Sequence, residues 1–320
     1  MTMGERRQTL SIVVPAYNEE EVLQSFHSRV ATVLNAVNMD AEIVYVNDGS
    51  KDDTLHIMQQ LQQADVRVAI VDLSRNFGKE IALTAGLDHA HGDAVIVIDA
   101  DLQDPPELIP SLIETWQKGY DVVYAKRLSR EGEGWFKKAT AHMFYRVMQS
   151  TGRVKIPEDT GDFRLLSQRA VKALLQLREQ HRFMKGLFTW VGFSQTAVPY
   201  NRDSRYAGET KWNYWQLWNL AVEGITSFTT APLRLATYIG LCTAAGAFFF
   251  GLRVIFKTIM YGNEVAGYPS LLVVVLFLGG VQLMAIGVMG EYLGRIFNET
   301  KHRPLYFLNR YEPSKNIKPE

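Results

Sequence analysis

Cysteine is close to absent from this chain. A single Cys242 in 320 residues excludes an internal disulfide and any zinc site built on cysteines. A surplus of charge is missing too: 34 basic residues balance 34 acidic ones. The chain therefore carries no electrostatic footprint for nucleic acid, and no nucleic-acid partner is expected. Neither G-x-x-x-x-G-K-[ST] nor G-x-G-x-x-G occurs, so phosphate binding by a P-loop or a dinucleotide loop has no support. The N-terminus, MTMGERRQT, is polar, and the apolar run Leu10–Pro15 is too short for a secretory signal. The seven histidines show no metal-ligand spacing. The length suits one large domain or two smaller ones.

Charge is also missing locally. No charged residue occurs from Leu235 to Leu252 or from Pro269 to Gly290. Each stretch approaches the roughly 20 apolar residues of a membrane span. Buried core helices are the alternative, but hydrophobicity all round the helix favours a span. Gly279, Gly280, Gly287 and Gly290 suit close helix contact in lipid. Arg234 precedes the pair, and Arg295, Lys301 and Arg303 follow it. The connecting loop offers mainly Lys257 against Glu264, with Arg253 just before it. The positive-inside rule then puts both termini in the cytoplasm. The expected organisation is a catalytic domain over 1–231, a two-helix transmembrane domain over 232–296 and a cytoplasmic tail over 297–320.

The first half alternates strand and helix signals. Apolar runs at Ser11–Pro15, Glu42–Asn47, Val66–Leu73, Ala94–Asp99 and Asp121–Lys126 read as strands. Glu19–Val37, Asp52–Gln62 and Lys79–Ala90 read as helices, and the prolines of PPELIPSLIETWQKG suit a helix start. Such alternation implies an α/β fold with a mostly parallel sheet covered on both faces. Ligands of such sheets bind beyond the carboxyl ends of the strands. Pro15–Glu19, Asn47–Ser50, Asn76–Lys79 and Asp99–Gln103 all fall on that edge. Two further stretches, Glu131–Asp159 and Trp212–Trp218, mix aromatic, apolar and polar or basic residues in a pattern that suits a membrane interface, with a helix packed on the sheet an equal reading of the first.

The chemistry concentrates in VIVIDADLQDPPE, residues 95–107, where an apolar strand runs into Asp99 and Asp101. Side chains two apart in an extended segment point the same way. Both carboxylates can thus approach one cation, and Mg²⁺ is typically held by one or two carboxylates plus substrate phosphates. Gln103 can add an amide oxygen. PAYNEE follows the first strand and NDGSKDDT the second, with Gly49 expected at positive φ. Alone, each of these is an ordinary turn or a chance D-x-D. Together on one edge they point to a nucleotide site.

P-A-Y-N-E, N-D-G-S, D-A-D-L-Q-D-P-P, G-D-F-R-L-L and R-Y-A-G-E-T-K-W, followed by two apolar stretches, resemble the polyprenyl-phosphate glycosyltransferases of glycosyltransferase family 2. That group includes dolichol-phosphate mannose synthases and bacterial undecaprenyl-phosphate sugar transferases. N-F-G-K-E, M-K-G and W-N-L-A-V-E-G-I-T-S-F look most like the bactoprenol glucosyltransferases that serve O-antigen modification. The resemblance runs from about Ser11 to Arg303. It implies a GT-A fold, interfacial helices, and inverting transfer of a sugar, best glucose, from a UDP-sugar to undecaprenyl phosphate on the cytoplasmic face of the membrane. It also implies a Mg²⁺ or Mn²⁺ cofactor and a homo-oligomer.

By matching positions, Pro15, Tyr17, Glu19, Asp48, Asp99 and Ala100 would line the nucleotide-sugar pocket, with Asp48 reading the uracil. Asp99, Asp101 and Gln103 would hold the metal. Some members write D-D-G-S where this chain has Asn47, so Asp48 is the only carboxylate there. Arg127, Arg205 and Lys211 would bind the acceptor phosphate. Asp162 and Asp101 are the catalytic candidates. An Asp before a helical run also suits an N-cap, and Arg164 is the candidate ion-pair partner of Asp162. The acceptor is a phosphate monoester with a second pKa near 6, so it is largely dianionic at neutral pH. Positioning and charge stabilisation, rather than a strong base, are then the main tasks. Other sugars (mannose, an N-acetylhexosamine, an aminoarabinose) suit the same pattern. A processive polysaccharide synthase is disfavoured by the missing Q-x-x-R-W, and a non-catalytic scaffold by the intact D-A-D-L-Q.

Overall fold

The structure, a computed structural model, describes residues 7–128, 160–200, 231–261 and 267–317. Its centre is an eight-stranded sheet in the order β7-β5-β6-β4-β1-β2-β3-β8. Strands β1 (Thr9–Ala16), β2 (Asp40–Asn47), β3 (Val68–Leu73) and β4 (Ala94–Val97) are parallel neighbours. β5 (Val122–Arg127) and β7 (Gln195–Tyr200) run the same way, whereas β6 (Thr160–Ser167) and β8 (Leu308–Glu312) run against them. This is the GT-A-like mixed sheet expected, mostly parallel. The central strands are apolar along nearly their whole length because both faces are covered.

One face packs on α1 (Leu23–Ala36), α2 (Thr54–Ala64) and α4 (Ile109–Gln117), with Phe26, Tyr45 and Phe163 in its core. Helix α1 buries Leu23, Phe26, Val30 and Leu34, a single helical stripe. The other face packs on α3 (Lys79–Asp88), α5 (Gln168–Leu174) and α6 (Met184–Trp190). Helix α3 lies almost against the strands. A Cβ at Gly86 would sit 2.3 Å from the Val13 side chain and 3.0 Å from that of Val46, so only glycine permits this approach.

The elements read from sequence are found with edges shifted by at most four residues. Pro106–Leu108 forms a 3₁₀ turn before α4, as the prolines suggested. The correction lies at TGDFRLLS. Its residues form β6, not a helix with Asp162 as N-cap, because the segment inserts antiparallel between β4 and β5. The segment after residue 300, read as a tail, returns to the sheet as β8 and pairs with β3.

Helices α7 (Ala231–Tyr261) and α8 (Tyr268–Thr300) pack on one another. They contain two segments long and apolar enough to cross a membrane, Leu235–Tyr261 and Phe277–Thr300. Neither segment's apolar window is buried (0%), so the buried-core alternative fails. Phe248, Phe249, Phe256, Leu283 and Leu293 all point outward. The stretches at 131–159 and 212–218 lie outside the described residues.

Candidate active site

The polar loops singled out in sequence gather beyond the carboxyl ends of β1, β2, β3 and β4, where a candidate site was expected. Loop crosslinks build its floor. The amide N–H of Asn18 donates to Ser50 Oγ (3.1 Å), Lys51 N–H donates to Asn18 Oδ1 (2.9 Å), and Glu19 N–H donates to Thr54 Oγ1 (2.8 Å). PAYNEE and NDGSKDDT are thus strapped together. Gly49 has φ +65°, and a Cβ there would lie 2.5 Å from the backbone of Arg75 and Asn76. The positive φ expected of it is met, and the glycine also admits a third loop.

Asp48 organises that third loop. Its two carboxylate oxygens accept the N–H groups of Phe77 (2.7 Å) and Gly78 (2.9 Å). Burial raises its pKa, against the pull of those two N–H groups and of Arg75. Asn47 bridges to the next strand, donating to Asp72 Oδ1 at 2.7 Å and accepting Ser50 N–H at 3.1 Å. The substitution of Asn47 for an acid therefore supplies a donor between adjacent strands. Pro15 is buried within β1, and Tyr17 is exposed at 38% beside it. Ala100 is buried between Asp99 and Asp101.

At the centre of this edge is Lys79, the lysine of N-F-G-K-E, to which the sequence alone assigns no role. Lys79 Nζ donates to Asp99 Oδ2 (2.7 Å) and Asp162 Oδ2 (2.5 Å). The last β4–β6 pair is Val97 with Arg164. Two residues further along each antiparallel strand come Asp99 and Asp162, opposite each other, and Lys79 reaches between them from the start of α3. The signal was present in sequence: Lys79 falls on the same sheet edge as the other polar clusters.

The electrostatics divide the two carboxylates. Burial and the neighbouring Asp162 and Asp101 raise Asp99 above the usual carboxylate range, against the pull of Lys79. Burial also disfavours the charge on Asp162, but Lys79, Lys185 and Arg164 outweigh it and hold its carboxyl well below that range. Its second oxygen, Oδ1, is buried and has no hydrogen-bond partner among the described residues. Lys79 is raised by its two carboxylates despite the cost of desolvation. Glu80, next along α3, is pushed up to about 7 by burial and by Asp162, and accepts the N–H of Met184 at 3.0 Å.

Arg164 is not the partner of the Asp162 carboxylate. Its guanidinium donates to the backbone carbonyls of Gly161 (2.9 Å) and Asp162 (3.4 Å) and stacks on Phe188 at 3.9 Å. Gln103 is buried, and its N–H donates to Asp101 Oδ1 at 3.1 Å. Leu102 between them has φ +57°, a strained value for a branched residue that turns the chain out of the strand direction. Among the described residues no group of three or more His, Cys, Asp or Glu could enclose a metal ion.

A second group forms beside the first. Arg127, at the end of β5, donates through Nε to Tyr200 Oη at 3.2 Å and lies 3.7 Å from Asp104. Tyr200 Oη itself donates to Asp104. Burial and Asp104 push the Tyr200 hydroxyl up to about 12. Arg205 and Lys211, the other two expected phosphate ligands, lie outside the described residues.

Residues 11–175 match the family description "Glycosyl transferase family 2". The chain belongs to this family. Among its relatives, an uncharacterized glycosyltransferase of Synechocystis is 54% identical over 94% of both chains. A prophage bactoprenol glucosyl transferase homolog of Escherichia coli is 52% identical, covering 94% of this chain and 98% of that one. The bactoprenol glucosyl transferase of Shigella phage SfV is also 52% identical, covering 93% and 97%. A solved structure, glucosyl-3-phosphoglycerate synthase of Mycobacterium tuberculosis with Mn²⁺, UDP-glucose and phosphoglyceric acid, is 20% identical with a TM-score of 0.47. It covers 68% of this chain and 78% of that one.

Proposed function

We propose that this glycosyltransferase moves glucose from UDP-glucose to undecaprenyl (bactoprenol) phosphate at the cytoplasmic face of a bacterial membrane, with inversion. The product would be a lipid-linked glucose, a donor for modification of an O-antigen type glycan. The observation that carries the reading is the pairing, in one chain, of the Asp99–Lys79–Asp162 edge with two exposed apolar helices of membrane-spanning length. The choice of sugar and lipid is supported by relatives 52% identical over nearly the whole chain.

The acceptor phosphate is dianionic near neutral pH and already nucleophilic. A carboxylate held well below the usual range is a poor base. This supports a role for Asp162 in orienting and balancing charge rather than in taking a proton. Arg127 suits the acceptor phosphate, since a guanidinium offers a two-pronged contact. Tyr17 and Asp48 suit the nucleotide end of the edge. The donor set around Asp99 fits a hard cation that enters with a diphosphate, because such an ion needs only one or two carboxylates. Asp99, Asp101 and Gln103 would hold it, and it would offset charge on the departing diphosphate.

β8 pairs with β3, so α7 and α8 together bring the chain back to the sheet it left. That supports two crossings with the catalytic domain and both termini on one side, and the basic flanks favour the cytoplasm. The test is transfer by purified full-length protein in detergent, using undecaprenyl phosphate, a panel of labelled UDP-sugars, and EDTA. A metal-dependent glycolipid from UDP-glucose is expected. Product from a different donor replaces the sugar, and product undiminished by EDTA removes the metal. No product from any donor removes the reading.

A further inference from the structure

Outside the site, one set of contacts is unaccounted for. The segment 178–184 connects α5 to α6 and runs beside α3, tied to it at both ends. At one end Arg178 forks onto Asp88, at 2.9 and 2.6 Å. At the other, Met184 N–H donates to Glu80 Oε2 at 3.0 Å. Glu80 adjoins Lys79, whose ammonium holds Asp99 and Asp162. The position of this segment is therefore linked to the turn that carries the central lysine.

The same segment is gripped from its other side by the end of α8. Glu299 Oε1 accepts the N–H of Gln180 at 2.7 Å, and the His181 N–H lies 3.5 Å away. Asn298 Nδ2 is 3.1 Å from His181 Nε2. Gln180 Nε2 donates to the carbonyl of Arg303 at 2.5 Å, and Tyr306 Oη donates to Asp88 at 2.7 Å. These contacts belong to the last turn of the second apolar helix and to the chain just after it. None of them touches the carboxylates of the site.

We propose that Glu299 is a positioning residue that seats segment 178–184 on the end of α8, and through Met184 and Glu80 sets the placement of Lys79 between Asp99 and Asp162. The geometry gives three sets of hydrogen bonds, Glu299 to Gln180, Met184 to Glu80 and Lys79 to the two carboxylates, joined in series by the backbone of 180–184 and of 79–80. A carboxylate accepting a backbone N–H is a charge-assisted bond of the stronger class. Its loss leaves the middle of the segment held by the side chains of Gln180 and His181 but not by its backbone, while Arg178 still holds one end, so the slack appears at Met184. Burial of Glu80 and its raised pKa add to the same picture, because the Met184 N–H is one of the groups that favour its ionised form. The catalytic part of the inference rests on the transfer reaction proposed above. The structural part does not.

The first experiment is amide hydrogen exchange on the full-length chain in detergent, with no substrate added. Glu299→Ala should speed exchange at Gln180 and His181, and also at Met184 and in the first turn of α3, each by about tenfold or more. Glu299→Gln, which keeps an acceptor oxygen, should restore protection at all of them. Faster exchange confined to Gln180 and His181, with Met184 and α3 unchanged, overturns the proposal. So does a uniform increase across the whole sheet, which reports general destabilisation. The second experiment is a double-mutant cycle on the kcat of glucose transfer. Glu299→Ala and Glu80→Ala should each lower kcat by about tenfold, and their combination by little more, since both cut one path. The KM for UDP-glucose should stay within about twofold. Multiplied effects, or an unchanged kcat in Glu299→Ala, overturn it. An inactive wild-type protein counts against the transfer reading alone, because the exchange result stands by itself.

Discussion

Lys79 carries two acidic neighbours on one ammonium, and the division of their pKa values follows from that sharing. Replacing it with methionine leaves Asp99 and Asp162 facing each other across antiparallel strands. Two close carboxylates cannot both ionise without a cation. The cation lowers the pKa of Asp162, so its removal raises that pKa, and protonation then sets in at higher pH. Lys79→Met should therefore lower kcat/KM by about a hundredfold, the equivalent of about 3 kcal/mol. It should also move the acid limb of the pH–rate profile to higher pH. An unmoved acid limb would take Asp162 out of the ionisations that govern rate. Tyr200 is a second residue to probe. Tyr200→Phe keeps the buried ring and removes both the acceptor for Arg127 Nε and the donor to Asp104. The expected outcome is a KM for the lipid phosphate raised by about tenfold, with the UDP-glucose KM unchanged. Equal changes in both would separate Tyr200 from the acceptor end.

Among elements, the loops after β1, β2 and β3 are held by one another rather than by their own sequences. Gly49→Ala would place a methyl group 2.5 Å from the backbone of Arg75 and Asn76 at a φ of +65°. Strain of this kind costs about 1–3 kcal/mol before any clash is counted. A drop in the thermal midpoint together with weaker UDP binding is expected, and a midpoint equal to wild type would show that the loops move apart freely. On the far side of the sheet, Asp121 joins β5 to the start of α5. It accepts from Ser167 Oγ (2.9 Å), Ser194 Oγ (2.8 Å) and the Arg169 guanidinium, with Arg169 the main cause of a pKa lowered to about 2. The folded pKa lies below the ordinary 3.8. Its stabilisation is thus complete above about pH 4 and is lost as pH falls through about 2. In thermal melts from pH 5 down to pH 2, wild type should start above Asp121→Asn and converge on it. A gap constant with pH would rule out ionisation of Asp121 as its source.

For the molecule as a whole, the chain after α8 closes a circuit. β8 covers the edge of β3, Ser314 Oγ reaches the buried Glu42 (3.3 Å), and Asn316 Nδ2 donates to the carbonyl of Ala41 at 2.9 Å. An unpaired edge strand is a template for association with other chains. Deleting residues 304–320 should lower the thermal midpoint and produce aggregates in size-exclusion chromatography in detergent. A monodisperse truncated protein with an unchanged midpoint would reduce β8 to an appendage.

Much of this was legible in the chain itself. Strands β1–β5, the carboxylate edge and the two apolar helices follow from local patterns, since burial on both faces, turn chemistry and hydrophobic length are all written in consecutive residues. Asp99, Asp101 and Asp48 could be singled out because each lies at or just beyond the end of a strand that the pattern already marked, and Arg127 because the family resemblance points to it there. Only the tertiary structure decided what faces them. β6 reads locally as the start of a helix, and it becomes a strand because β4 and β5 leave an antiparallel slot between them. That insertion brings Asp162 opposite Asp99, across 63 positions of sequence. Lys79 reaches both because α3 begins where the two strands end, and β8 finds β3 only after the chain has passed through two long helices. Hydrogen-bond partners brought together from distant positions leave no periodic trace in sequence, which is why the carboxylates were foreseen and the lysine between them was not.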